Sequence, residues 1–176
     1  GSGASGCYTP NNDATGSDSF TFEADDGQFD ANTARVSITI SAVNDAPVAS
    51  AQSVTATEET AASVTSVASA VEGETLSYTI VSSPSRGTLS GSGSSRTYTP
   101  NNDATGSDPF TFKANDGQFD SNTATVSITI SAVNDAPVAS AQSVTATEDT
   151  AASLTLVASD VEGDTLSYTI VSSPSR

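Results

Sequence analysis

The chain has 176 residues, enough for one or two domains, and carries 5 Lys plus Arg against 21 Asp plus Glu, a formal charge of −16. Such a field repels nucleic acid and anionic membrane surfaces, so no nucleic-acid binding and no membrane insertion are expected, and cations become the natural partners. There is no His, Met or Trp, a single Cys, and no apolar run near the ~20 residues of a membrane span, which removes most catalytic apparatus, soft-metal sites and membrane-crossing helices.

Read in chain order, the first stretch carries Tyr8-Thr9-Pro10-Asn11-Asn12-Asp13 and then apolar residues in alternation, Phe20 and Phe22 followed by Val36 and Ile38. It ends at Val43-Asn44-Asp45-Ala46-Pro47. Pro cannot donate a ladder hydrogen bond and keeps the residue before it extended, and Asn-Asp is turn chemistry, so this is the best boundary. Weak strand patterns follow at 48–56 and 61–68. Leu76-Ser77-Tyr78-Thr79-Ile80 alternates clearly, with weaker strands at 87–90 and 95–99. Phe110-Thr111-Phe112-Lys113-Ala114 and Thr125-Val126-Ser127-Ile128-Thr129-Ile130 alternate again, the mark of strands with one buried face. Val133-Asn134-Asp135-Ala136-Pro137 then repeats the boundary, and 134–176 restarts the pattern.

That restart is a true repeat. Residues 1–86 align with 91–176 without a gap, and 73 of the 86 pairs are identical. The period is 90 residues, so the expected division is the back part of a repeat (1–43), a complete domain (44–133) and the front part of the next repeat (134–176). Neither part has a counterpart of Gly87-Thr88-Leu89-Ser90, and the chain reads as a window on a longer array. The expectation is that a 134–176 part packs against a 1–43 part that follows it, in the same continuous chain or in a separate subunit. About seven short strands in 90 residues predict an all-β fold, a seven-stranded Greek-key β-sandwich of immunoglobulin-like design. Phe110, Phe112, Tyr78, Ile80, Val126 and Ile128 are its predicted core.

The acids cluster outside the alternating strands. Glu58-Glu59 recurs as Glu148-Asp149, and Glu72-Gly73-Glu74 as Glu162-Gly163-Asp164. Asn101-Asn102-Asp103 with Asp108 recurs from Asn11-Asn12-Asp13 with Asp18, and Ala114-Asn115-Asp116-Gly117 from Ala24-Asp25-Asp26-Gly27. Oxygen-only donors on loops suit a hard cation such as Ca2+. Asp, Asn and Gly are also turn formers, and a merely well-solvated surface can be this acidic. Composition alone leaves both readings open.

The order of motifs adds a resemblance. Val157-Ala158-Ser159-Asp160-Val161-Glu162-Gly163-Asp164 followed by Thr165-Leu166-Ser167-Tyr168-Thr169-Ile170 resembles the cadherin sequence of strand, acidic calcium loop and Tyr-bearing strand. Phe110–Gly117 is similar to the later strand ending in Ala-x-Asp-x-Gly, and Val133–Pro137 to the inter-domain linker. The whole chain resembles the bacterial cadherin-like tandem repeats of large RTX-type surface adhesins. That resemblance implies Ca2+ at the junctions. At 133–137 the ligands would be Glu58 and Asp103, the linker's Asn134 and Asp135, and Asp160, Glu162 and Asp164 of the following part. At 43–47 they would be Asn44, Asp45, Glu72 and Glu74, because Ala70 stands where the later copy has Asp160; Asp116 completes the set. Ala132 replaces the linker's usual leading Asp, which implies fewer ions per junction than in animal cadherins.

Other chemistry is poorly supplied. Cys7 stands at the position of Thr97, so the fold does not need it; it reads as a free thiol or a plain substitution, with pairing between chains open. No His is present to activate it or any Ser. The Gly-rich run from Gly87 lacks the Lys and helix of a phosphate loop. No enzyme is expected. The leading reading is a calcium-stiffened structural spacer, extracellular and on the cell surface, whose partners are neighbouring repeats and, in a fibre, other copies. Two alternatives stand beside it. A carbohydrate or ligand binder would use Phe29 and Phe119, the only aromatics outside the apparent core strands. A self-assembling filament would have subunits that complete one another.

Overall fold

Thr or Ser alternating with Ala, Val or Ile from 124 to 131 puts every apolar residue on one face. Ala124, Val126, Ile128 and Ile130 are buried, and the residues between them are exposed. The computed structural model describes residues 3–174, so positions 1–2 and 175–176, the outermost residues of the two partial repeats, lie outside the described residues. The described chain contains strands, turns and irregular segments and no helix long enough to cross a membrane. In the first partial repeat the strands are β1 (Gly16–Phe22) and β2 (Ala34–Ile40). The middle repeat has β3 (Val48–Ser50), β4 (Gln52–Thr57), β5 (Ala62–Thr65), β6 (Val67–Ser69), β7 (Ser77–Ser82), β8 (Gly87–Gly91), β9 (Ser95–Pro100), β10 (Gly106–Ser107), β11 (Phe110–Asn115) and β12 (Ala124–Ser131). Among the described residues the last part has β13 (Val138–Ala139) and β14 (Ala158–Ser159).

The middle repeat is an immunoglobulin-like sandwich, as the alternation predicts. β12 is the hub of one sheet. One of its edges takes β10 and β11 antiparallel; the other takes β4 in parallel, with Val126 opposite Gln52 and Ser131 opposite Thr57. β11 carries β7 on its far edge. The second sheet runs β5-β9-β8, and β3 pairs with β6. Phe110, Phe112, Val126 and Ile128 from the first sheet meet Val64 and Tyr98 from the second. Of the predicted core, Tyr78 and Ile80 are half-buried at its margin. Gly87 lies on the Tyr98 ring so closely that an added Cβ would stand 2.6 Å from both the ring and the Thr99 carbonyl oxygen.

The expected strands at 48–56 and 61–68 are each divided, at Ala51 and Ser66. In both places the chain changes partner: β3 and β6 pair with each other, whereas β4 joins β12 and β5 joins β9. Alternation continues through a change of sheet, so sequence period does not reveal it.

A second interruption falls at Asp108-Pro109. β10 and β11 keep one register against β12, and the Asp108 N–H still donates to the Ile128 carbonyl at 2.9 Å. Pro109 has no N–H to donate, and the ladder breaks there. Its counterpart Ser19 leaves β1 unbroken.

The partial repeats retain only the pairings that are internal to each part. β1 pairs with β2, as β10–β11 pairs with β12, and β13 pairs with β14, as β3 pairs with β6. The counterparts of β4, β5 and β7 in residues 134–174 are not strands, because β12, β9 and β11, their partners in the middle repeat, have no counterpart there. No strand of the first part pairs with one of the last among the described residues.

Candidate functional site

The junction residues are set by the ends of β4 and β12, which run side by side. Just beyond them the Glu58 N–H donates to the Ser131 carbonyl at 3.1 Å, and Glu58 Oε1 accepts the Val133 N–H at 2.6 Å. Glu58 is 1% exposed, and its Oε2 is buried without a hydrogen-bond partner. A buried carboxylate oxygen is costly unless something positive faces it. Glu58 is therefore an interior clamp on the start of the linker rather than a solvated loop acid.

Two residues on, the Asp135 N–H donates to Glu162 Oε2 at 3.1 Å, and Asp135 Oδ2 is also buried without a partner. The earlier junction repeats this bond: the Asp45 N–H donates to Glu72 Oε2 at 3.3 Å. Asp160 Oδ1 accepts the Asp164 N–H at 2.9 Å and closes the loop that Gly163, with φ 78, turns. Ala70 cannot do this in the earlier copy, where Glu74 Oε2 is buried and unpartnered.

Asn44 and Asp116 meet, since the Asn44 amide donates to Asp116 Oδ2 at 2.8 Å. Asp116 also accepts the Phe119 and Gln118 N–H groups at 2.6 and 2.7 Å. The Phe119 N–H, then the Asn44 amide and the Gln118 N–H, hold its carboxyl below the usual carboxylate value. This is a turn cap, remote in character from a solvated ligand. Asn134 donates to the Asp135 carbonyl at 3.2 Å instead. Asp103 is exposed in its turn with φ 56.

The residue the sequence reading missed at the earlier junction is Asp13. It lines a cleft of about 280 Å³ together with Asp45 and Glu72 from across the boundary. A shift of 90 from Asp103 finds it. The second omission is Asp108, grouped by sequence with the loop acids but fully buried next to the core. Its Oδ2 accepts the Tyr98 hydroxyl at 2.6 Å and the Arg86 N–H at 2.9 Å, and its Oδ1 accepts the Ser85 N–H at 2.6 Å and the Ser85 hydroxyl at 3.1 Å. Burial pushes its pKa up, but these bonds outweigh burial and hold it below the ordinary value. Burial and the bond to Asp108 push the Tyr98 hydroxyl up. A buried acid among loop acids has no period to mark it.

The structure thus joins Asp135 to Glu162, Asp45 to Glu72, Asn44 to Asp116 and Asp160 to Asp164. It does not gather three acidic side chains at one point among the described residues. As donors these groups are all oxygen, the type a hard cation takes, and Glu58 Oε2 and Asp135 Oδ2 are buried without hydrogen-bond partners. Phe29 and Phe119 are exposed on the Asp-Gly-Gln-Phe-Asp turns.

No curated protein matches the chain. Among solved structures, an endo-fucoidan hydrolase of glycoside hydrolase family 107 is similar at 26% identity and TM-score 0.44, over 68% of this chain and 19% of its own. A chimeric titin Z1Z2 carrying a decorin peptide is similar at 20% identity and TM-score 0.34, over 52% of this chain and 100% of its own. The titin domains Z1Z2 in complex with telethonin are similar at 14% identity and TM-score 0.33, over 66% of this chain and 62% of theirs. The chain spans about a fifth of the hydrolase, 19% of its length. The family described as Bacterial Ig domain matches residues 2–39, 44–129 and 134–176, so this chain belongs to that family.

Proposed function

We propose that the chain is a non-enzymatic structural spacer, tandem immunoglobulin-like repeats that set the reach of an extracellular or cell-surface bacterial protein such as an adhesin. Neighbouring repeats are its partners, and Ca2+ at the junctions fixes the angle between them. The observation that carries this reading is Glu58: one carboxylate oxygen holds the linker at Val133, and the other is buried without a hydrogen-bond partner. The carboxylates that an ion would have to draw together are Glu58, Asp135, Asp160 and Glu162 at 133–137, and Asp13, Asp45 and Glu72 at 43–47; among the described residues neither set is already gathered at one point. When bound, the ion supplies positive charge that offsets the mutual repulsion of these carboxylates.

Small-angle scattering with and without a chelator tests the reading. The expected result is a larger spread of inter-domain distances in EDTA and recovery at Ca2+ on the order of 10⁻⁴–10⁻³ M, the range of extracellular modules. Glu58→Gln should blunt the response at 133–137. An unchanged distance distribution across the titration would sink the calcium part.

A further inference from the structure

Load on a tandem repeat enters and leaves through its two linkers, so its resistance depends on how the strands next to those linkers are joined. In the middle repeat they are neighbours. β4 and β12 run parallel over six pairs, from Gln52 opposite Val126 to Thr57 opposite Ser131. The chain enters ahead of β4 and leaves beyond the far end of β12. Ladder bonds lie across the strands, so a pull on the two linkers slides one strand along the other and loads all the pairs together. A pull that separates the strands from one end would instead open the pairs one at a time.

A side chain prolongs the joint at each end of this ladder. Ahead of β4, the Asn122 amide clasps Ala49, accepting its N–H and donating to its carbonyl, both at 2.9 Å. Asn122 stands two residues before β12, so it reaches back to the incoming chain. At the other end the Glu58 N–H donates to the Ser131 carbonyl at 3.1 Å, and Glu58 Oε1 accepts the Val133 N–H at 2.6 Å. Glu58 is the residue after β4, and Val133 stands two beyond β12. Each clasp thus ties the flank of one strand to the flank of the other, next to a linker. Ala49 and Glu58 are both buried, which keeps water from competing for these bonds. The bond from Val133 to a carboxylate is charge-assisted, the stronger kind.

We propose that the middle repeat bears tension along the chain, and that Asn122 and Glu58 are its load-bearing clasps, closing the parallel β4–β12 ladder at the two points where the linkers apply force. The role of Glu58 here needs no cation. Its Oε1 holds Val133 directly, whereas the calcium reading rests on the other oxygen, Oε2. The two roles of this side chain are therefore separable by substitution. Glu58→Gln keeps an oxygen for the Val133 N–H and removes the charge, and Glu58→Ala removes both.

Single-molecule stretching of the 176-residue chain at constant force, held by its two ends and kept in EDTA, tests the proposal. The rupture followed is the one whose released length matches residues 44–133. Asn122→Ala and Glu58→Ala should each raise its rate by about tenfold or more, the worth of the bonds removed. Glu58→Gln should restore most of the resistance lost in Glu58→Ala. A second geometry separates load-bearing from general stability. With Cys7→Ser and Thr60→Cys, a handle at exposed position 60 and one at the C terminus peel β12 from β4 starting at the Glu58 end. Rupture should then need much less force, and Asn122→Ala, at the far end, should leave it unchanged. Equal end-to-end rupture rates for the parent and Glu58→Ala overturn the proposal. So does an end-to-end rupture force no higher than that found by peeling from position 60. An absent chelator effect in scattering would sink the calcium reading alone and leave these results standing.

Discussion

Asp108 is the residue on which the middle repeat depends most for its polar interior. Four donors, from Tyr98, Ser85 and Arg86, converge on one buried carboxylate and tie β9, the turn after β7 and the break between β10 and β11 into a single knot. Asp108→Ala leaves the buried Tyr98 hydroxyl without its acceptor, and releases the Ser85 and Arg86 N–H groups of an exposed turn. At about 1–3 kcal/mol for one buried unsatisfied group, the expected loss is of that size in urea unfolding. The pH dependence follows from the direction of the shift. A folded-state pKa below the ordinary 3.8 means stability that is fully present above that value and lost as pH falls through the lower, folded one. Between pH 5 and 3 the parent should lose more stability than Asp108→Ala; parallel curves would remove Asp108 from this role. Asp18 shows the same carboxylate half-served: it keeps the Tyr8 hydroxyl at 2.6 Å and is exposed.

At the scale of elements, strands with a clear period were legible in the sequence and changes of partner were not. β12, β11 and β7 lie where alternation predicts, because one buried face imposes a period of two on the residues themselves. The divisions at Ala51 and Ser66 have no such signature, since the same period serves either sheet. At the candidate site, the motif order put Asp135 and Glu162 at one junction, and the Asp135 N–H does reach Glu162 Oε2. Burial was not legible, which is why Glu58 and Asp108 became interior groups. The break at Asp108-Pro109 offers a test within one chain. Ser19, the counterpart of Pro109, donates its N–H to Asp18 Oδ1 at 2.7 Å, the oxygen that in Asp108 receives Ser85. Pro109 thereby leaves that oxygen to the turn, and it also restricts the unfolded chain. Pro109→Ser should join β10 to β11 and lower the urea midpoint by an amount equivalent to about 1 kcal/mol. A raised midpoint would show that strand continuity outweighs both effects.

Over the whole molecule, 21 acids against 5 bases leave a charge of −16, and at each of the two junctions a linker N–H, of Asp45 or Asp135, donates to a Glu of the following loop. The junctions share this bond but differ at one position. Asp160 caps the 160–164 loop through the Asp164 N–H, so that the loop carrying Glu162 is held beneath the linker; Ala70 provides no such cap for Glu72. A cation at 133–137 would meet one more carboxylate and a better-fixed loop than one at 43–47. Loss of the cap should weaken calcium binding at the later junction several-fold and make it resemble the earlier one. Asp160→Ala touches no strand of the middle repeat, whose thermal transition should be unchanged. Calorimetric titration of the parent should therefore resolve a tighter and a weaker class of site, and the variant only the weaker. Equal heats and affinities in the two proteins would take Asp160 out of the ligand set and leave the junctions equivalent.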